Sequence, residues 1–262
     1  MTELWPAETL ARIEVARHRI PVSATSRARR CRARSPRPES TGDWPITGWA
    51  MLARMGGTAD SIVALIPERR ATDAAVLLRT LLEAMVTFAW IGIDPTQNAA
   101  AWLRWDRRQR QKADNDVIQS GAPPLLDPQT REDFERIMAA GPLMPEDLSQ
   151  RATQIDRHWG PKLDAVDEDP SSTRSTRGLY RSVFRRDSQH THAAVVSLEP
   201  LILGSPPGPF QVIGVETDPG LHNAFTMAPV IYALALIFAE PMLGINGLQR
   251  AADEVFASTS TP

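Results

Sequence analysis

The sequence predicts an all-α protein, a multi-helix, bundle-like domain around a buried central helix. Three observations predict it. Residues 74–91 are apolar on nearly every side of a helical projection, interrupted by Arg79 and Glu83, and a helix apolar all round is surrounded by other protein. A second stretch, Leu221 to Ala239, contains no Asp, Glu, Lys or Arg. Strand–helix alternation is missing, and so are a Gly-rich phosphate loop, a CxxC pair, an HExxH and any internal repeat.

Taken in order, residues 7–18 have Leu10, Ile13, Val15 and Ala16 near the helical period, and Pro6 suits a helix start. They define an N-terminal helix within residues 1–20. Residues 21–44 are a linker, rich in Ser and Pro. It carries Arg27, Arg29, Arg30, Arg32, Arg34 and Arg37 and has little to bury. Its plain reading is an irregular connection, and its sharper one a basic arm on phosphates. One helical domain follows over 45–256, with a tail at 257–262.

Within that domain Trp49, Leu52, Met55, Ile62, Val63 and Ile66 predict a helix over 46–66, with Gly56–Gly57 as a weak middle and Pro67 at its end. Thr72 or Asp73 caps the central helix, which Gly92 and Pro95 stop at Ile91. Residues 97–116 form a helix with Trp102, Leu103 and Trp105 facing a partner element and Arg104, Arg107, Arg108, Arg110 and Lys112 solvated. Two polar, peripheral helices start at Thr130 and at Pro145–Asp147. Residues 167–178 are a loop and 179–198 a helix. A short extended segment is expected at 210–216, then the charge-free helix 221–239 and a last one over 243–256. The 221–239 segment holds His222, Asn223, Thr226 and Pro229, so a buried core helix is expected in place of a bilayer span of about 20 apolar residues.

Composition narrows function by exclusion. A net charge of −2 removes the overall basic character of a general duplex binder, though not contact with a short single strand. The lone Cys31 rules out an intrachain disulfide and suits a reducing compartment. Glu3, Glu8 and Glu14 make the start unlike a secretory leader, so a cytoplasmic location is expected.

Two clusters carry chemistry. Arg79 and Glu83, four apart among Leu77, Leu78, Leu81, Leu82 and Met85, share a helix face. Burying both charges costs several kcal/mol each unless they are paired. The pair therefore either locks packing or orients a pocket. In the second cluster Arg185, Ser188 and His192 fall on one helical face, and Arg186 and His190 on the next. His transfers protons near neutral pH, Arg holds an anionic group through two hydrogen bonds, and Ser188 donates or attacks if a base lies beside it.

LLRTLLEAMVTFAWIGIDP (77–95) followed by YRSVFRRDSQHTH (180–192) resembles the bacterial family called domain of unknown function 5677. That family shows an Arg-x-x-x-Glu helix and then an aromatic–Arg-x-x-Ser-x-x-x-His segment. The matching positions are Arg79, Glu83, Phe184, Arg185, Ser188 and His192. The family usually has Tyr where this chain has Phe184, and Tyr180, one turn earlier, is the candidate replacement. The resemblance spans about residues 45–240 and implies an all-helical domain with no mechanism attached. The spacing of Arg185 or Arg186 to His190 or His192 is also similar, more weakly, to HEPN-type helical ribonucleases.

Three functional readings stay open. The first is a metal-independent endoribonuclease, related to defence or toxin systems, with His192, His190, Arg185, Arg186 and Ser188 catalytic and a homodimer implied. The second is a non-catalytic helical ligand-binding or protein-interaction module in which Arg79, Glu83, Ser188 and His192 specify packing or hold a small anion, with Tyr180 beside Arg79 and Glu83 as a binding or orienting residue. The third is a metal-dependent small-molecule enzyme drawing on His190, His192, His222, Glu83 and Asp106. RNA or a small anionic ligand is the expected partner, and no cofactor or metal is read from the motifs.

Overall fold

A computed structural model describes residues 44–65, 68, 70–162, 175–184, 202–203, 211–212, 219–244, 247–250 and 252. The predicted N-terminal helix, the Arg-rich linker and the tail lie outside them, as does most of the 243–256 helix.

The described helices are α1 (Trp44–Leu65), α2 (Ala71–Ile91), α3 (Pro95–Gln119), α4 (Pro128–Ala139), α5 (Leu148–Trp159), α6 (Thr176–Leu179) and α7 (Pro219–Leu243). A π-turn, Tyr180–Phe184, continues α6. A two-residue antiparallel ribbon pairs β1 (Ile202–Leu203) with β2 (Gln211–Val212), Ile202 opposite Val212. The all-α expectation holds. Of the extended segment expected at 210–216, Gln211–Val212 form β2 and the rest lies outside the described residues.

Three helices make the core. α1, α2 and α7 pack pairwise, α2 at the centre also meets α5, and α3 pairs with α4. α1 turns Leu52, Met55, Ala59 and Ile62 inward at helical spacing. Gly56 is not a kink here, since α1 runs through it unbroken. It marks a close approach: a Cβ there would lie 3.0 Å from the Tyr232 hydroxyl of α7. α7 is buried at every position from Met227 to Ala239, which is why it carries no charge there. By length and composition α2 and residues 226–243 are apolar enough to cross a bilayer, yet 67% and 72% of the two segments are covered by protein.

Two of the outer expectations are corrected. α5 is not peripheral: Arg151, Ala152, Ile155 and Trp159 are buried, Trp159 donates to the Ala89 carbonyl at 3.2 Å, and Gln154 accepts from the Trp90 indole at 2.7 Å. On α3, Leu103 is exposed and Arg104 is buried, its Nε donating to the Pro142 carbonyl at 2.7 Å. A long cation with a backbone acceptor in reach packs its stem inward, so the polar residue took the inner place.

Candidate functional site

The described site forms where α5 begins and α6 turns. Asp147 caps α5, its Oδ1 accepting from the Ser149 amide at 2.8 Å, the favoured chemistry for a helix start. One turn from the far end of α5, Asp156 accepts from the Thr176 amide at 2.8 Å and the Arg177 amide at 2.9 Å, one per carboxylate oxygen. Burial pushes the Asp156 carboxyl above the usual range, against the downward pull of those two amides. Ser175 caps α6 by accepting from the Gly178 amide at 2.9 Å. Asp156 thus pins the first turn of α6 to α5, and Ser175 caps it locally.

From there the chain divides its faces. Leu179 and Val183 are fully buried in the core, and Arg177, Tyr180 and Arg181 point the other way. With Asp147 and Ser149 they line a hollow of about 310 Å³. Arg177 and Arg181 are four residues apart and so share a face. Neither guanidinium has a carboxylate within 4 Å among the described residues. Asp147 commits only one oxygen to its cap. One turn further into α5 lies Arg151, 3% exposed. Burial pulls its guanidinium below the ordinary arginine value, opposed by the charges of Glu83 and Asp147.

Of the residues singled out from sequence, Tyr180 belongs to this hollow. Arg79 and Glu83 do not form the expected buried pair. Glu83 is exposed, Arg79 is half-buried, and no ion pair joins them. The reason is where all-round burial starts. Up to Leu82 α2 is buried on one face only, and it is enclosed on every side from Met85 onward, so Glu83 falls on the open side one turn too early. Its charge supports Arg151 instead. Arg185, Arg186, Ser188, His190 and His192 lie outside the described residues, as does the Phe184 side chain. The π-turn packs against α2, which makes the two stretches of the resemblance neighbours up to Phe184.

Sequence reasoning passed over Arg177, Arg181, Asp147, Ser149, Arg151 and Asp156. The Arg177-x-x-Tyr180-Arg181 spacing was the available signal, but Arg177 fell in the segment read as a loop. For the metal reading, Asp106 is held by Arg107 at 2.8 Å and Arg110 at 3.0 Å. Among the described residues no three His, Cys, Asp or Glu side chains gather as a ligand set.

Fold and site together define a helical-bundle domain with an arginine-lined polar pocket. Residues 47–208 match the Family of unknown function (DUF5677), and the chain belongs to that family. No curated protein and no solved structure matches it. The matched span takes in α1 to α6 and the hollow but ends before α7.

Proposed function

We propose that the protein binds a phosphate-bearing ligand in the hollow between the start of α5 and the α6–π-turn segment. The observation that carries this reading is the convergence of Arg177 and Arg181, neither in an ion pair with a described carboxylate, on one hollow with Tyr180 and Ser149. Guanidinium forks match phosphate oxygens in pairs, and a serine hydroxyl adds a single donor. Titration calorimetry with inorganic phosphate tests it. Binding that disappears in Arg177→Ala and in Arg181→Ala supports the site, and the absence of binding by the intact protein removes it.

A reactive version has one feature in its favour: in sequence, the π-turn leads directly into Arg185, Arg186, Ser188, His190 and His192. In that reading the protein is a metal-independent, HEPN-like endoribonuclease working as a homodimer. The ribose 2′-oxygen bonds to phosphorus as the P–O5′ bond breaks. His192 or His190 takes the 2′ proton or supplies one to O5′, and Arg185 and Arg186 stabilise the phosphate charge. RNA cleavage in EDTA by the purified protein, lost in His192→Ala, is the expected result. No cleavage, or cleavage unchanged in that variant, ends this version and leaves the binding function in place.

A further inference from the structure

We infer that the ligand of the hollow is a small phosphomonoester bearing hydroxyl or amine donors next to its phosphate, and not a polynucleotide. The inference rests on the phosphate-site reading above and deepens it.

Size is the first argument. The hollow, about 310 Å³, sits at the lower end of the roughly 300–1,000 Å³ typical of small-molecule sites. It has room for one phosphate and one ring.

Hydrogen bonding is the second. Arg177 and Arg181, with no carboxylate within 4 Å among the described residues, present up to ten N–H donors. A terminal phosphate offers them three free oxygens. An internal diester phosphate offers only two, fewer than two guanidinium forks can engage.

The surroundings are the third. A polynucleotide needs cations that follow its backbone away from the first contact. Asp147 stands in the lining itself and repels a second phosphate arriving beside the first.

Asp147 also says what replaces that second phosphate. Its Oδ1 is taken by the Ser149 amide, while Oδ2 accepts no hydrogen bond from the described residues. An exposed carboxylate oxygen beside an anion site selects a neighbouring donor, such as a sugar hydroxyl or an amine. A ligand with an anionic end and a donor-rich body satisfies both ends of the hollow at once.

The test uses the full chain and three probes: inorganic phosphate, ribose 5-phosphate, and a ten-nucleotide RNA without terminal phosphates. Binding is measured by titration calorimetry for the wild type, Arg181→Ala and Asp147→Asn. Arg181 is exposed, and Asn keeps the helix-capping function of Asp147, so both variants are expected to fold. A melting curve for each verifies it. The expected result is ribose 5-phosphate binding at least tenfold more tightly than phosphate, and the RNA more weakly than ribose 5-phosphate. Arg181→Ala loses both small ligands. Asp147→Asn abolishes the advantage of the sugar, and phosphate binds to it at least as tightly as to the wild type because the carboxylate beside the anion is gone. Ribose 5-phosphate no tighter than phosphate, an advantage that survives Asp147→Asn, or RNA as the strongest ligand would each overturn the inference while the phosphate site stands. If none of the probes binds, the phosphate site itself is wrong.

Discussion

Arg151 donates through Nη1 to the Thr87 hydroxyl at 2.6 Å, and that hydroxyl donates to the Glu83 carbonyl one turn back in α2 at 2.8 Å. This relay fastens α5 to the central helix with a guanidinium that is 3% exposed. Thr87→Val keeps the branched shape and removes the acceptor. A buried charged donor left without its partner costs about 1–3 kcal/mol, and chemical denaturation should show a loss of that size. Arg151→Met in the Thr87→Val background should add less than it does alone, because residues sharing a hydrogen bond are coupled.

Asp156 connects stability to the proposed site. Its two oxygens take the Thr176 and Arg177 amides. Asp156→Asn turns one acceptor into an NH2 group facing an N–H. We expect a loss of about 1–3 kcal/mol and phosphate binding weakened several-fold, although Asp156 does not line the hollow. Thermal melting and calorimetry on the same sample measure both. Full phosphate affinity in a destabilised variant would show that α6 and the π-turn hold Arg177 and Arg181 without this cap.

Asp114 predicts an acid-sensitive joint. The carboxylate is fully buried. Its Oδ1 accepts from the Leu125 amide at 2.6 Å and the Leu126 amide at 3.1 Å, and its Oδ2 pairs with Arg131. Burial pushes its pKa up, but the Leu126 and Leu125 amides and Arg131 together hold it below the usual aspartate value. With the folded value depressed, the stabilisation is complete above the ordinary pKa of about 3.9 and fades as pH falls through the folded value. Hydrogen exchange should show the Leu125 and Leu126 amides protected at pH 6 and losing protection at the acid end. Asp114→Asn should lose much of that protection at pH 6.

Gly92 is a packing requirement. Its φ of −65° suits any residue, but an added Cβ would lie 2.2 Å from Met242 Sδ and 2.7 Å from its Cγ. Overpacking of this kind costs about 1–3 kcal/mol. Gly92→Ala should lower Tm by about 2–12 °C, at roughly 2–4 °C per kcal/mol for a domain of this size. Adding Met242→Ala should recover part of the loss. An unchanged Tm in Gly92→Ala would mean that Met242 swings aside freely.

The core was the most legible part of the chain. Apolar residues three and four apart locate α1, an almost wholly apolar run locates α2 and a charge-free one α7, because burial against other helices leaves a periodic or continuous trace in sequence. Helix starts were read less well. Asp127 and Asp147 cap α4 and α5, whereas α2 follows Arg70, which makes no side-chain cap. The buried Arg79–Glu83 pair failed because the count of apolar neighbours could not tell the enclosed end of α2 from its one-sided beginning. Arg104 and Arg151 went unrecognised as interior residues because their acceptors, the Pro142 carbonyl and the Thr87 hydroxyl, are 38 and 64 positions away. Tyr180 was noted for its place beside a motif. The arginines on either side of it gained meaning only when α5 was seen to supply the opposite wall.

The order of the core helices along the chain has a consequence for synthesis. α1 and α2 are complete by Ile91, but α7, which covers both, ends only at Leu243. At translation rates of 5–20 residues per second, the roughly 150 residues between them take about 8–30 s to emerge. For that interval the nascent chain presents the greasy sides of two finished helices to its surroundings, a standing invitation to chaperones that lapses once α7 docks.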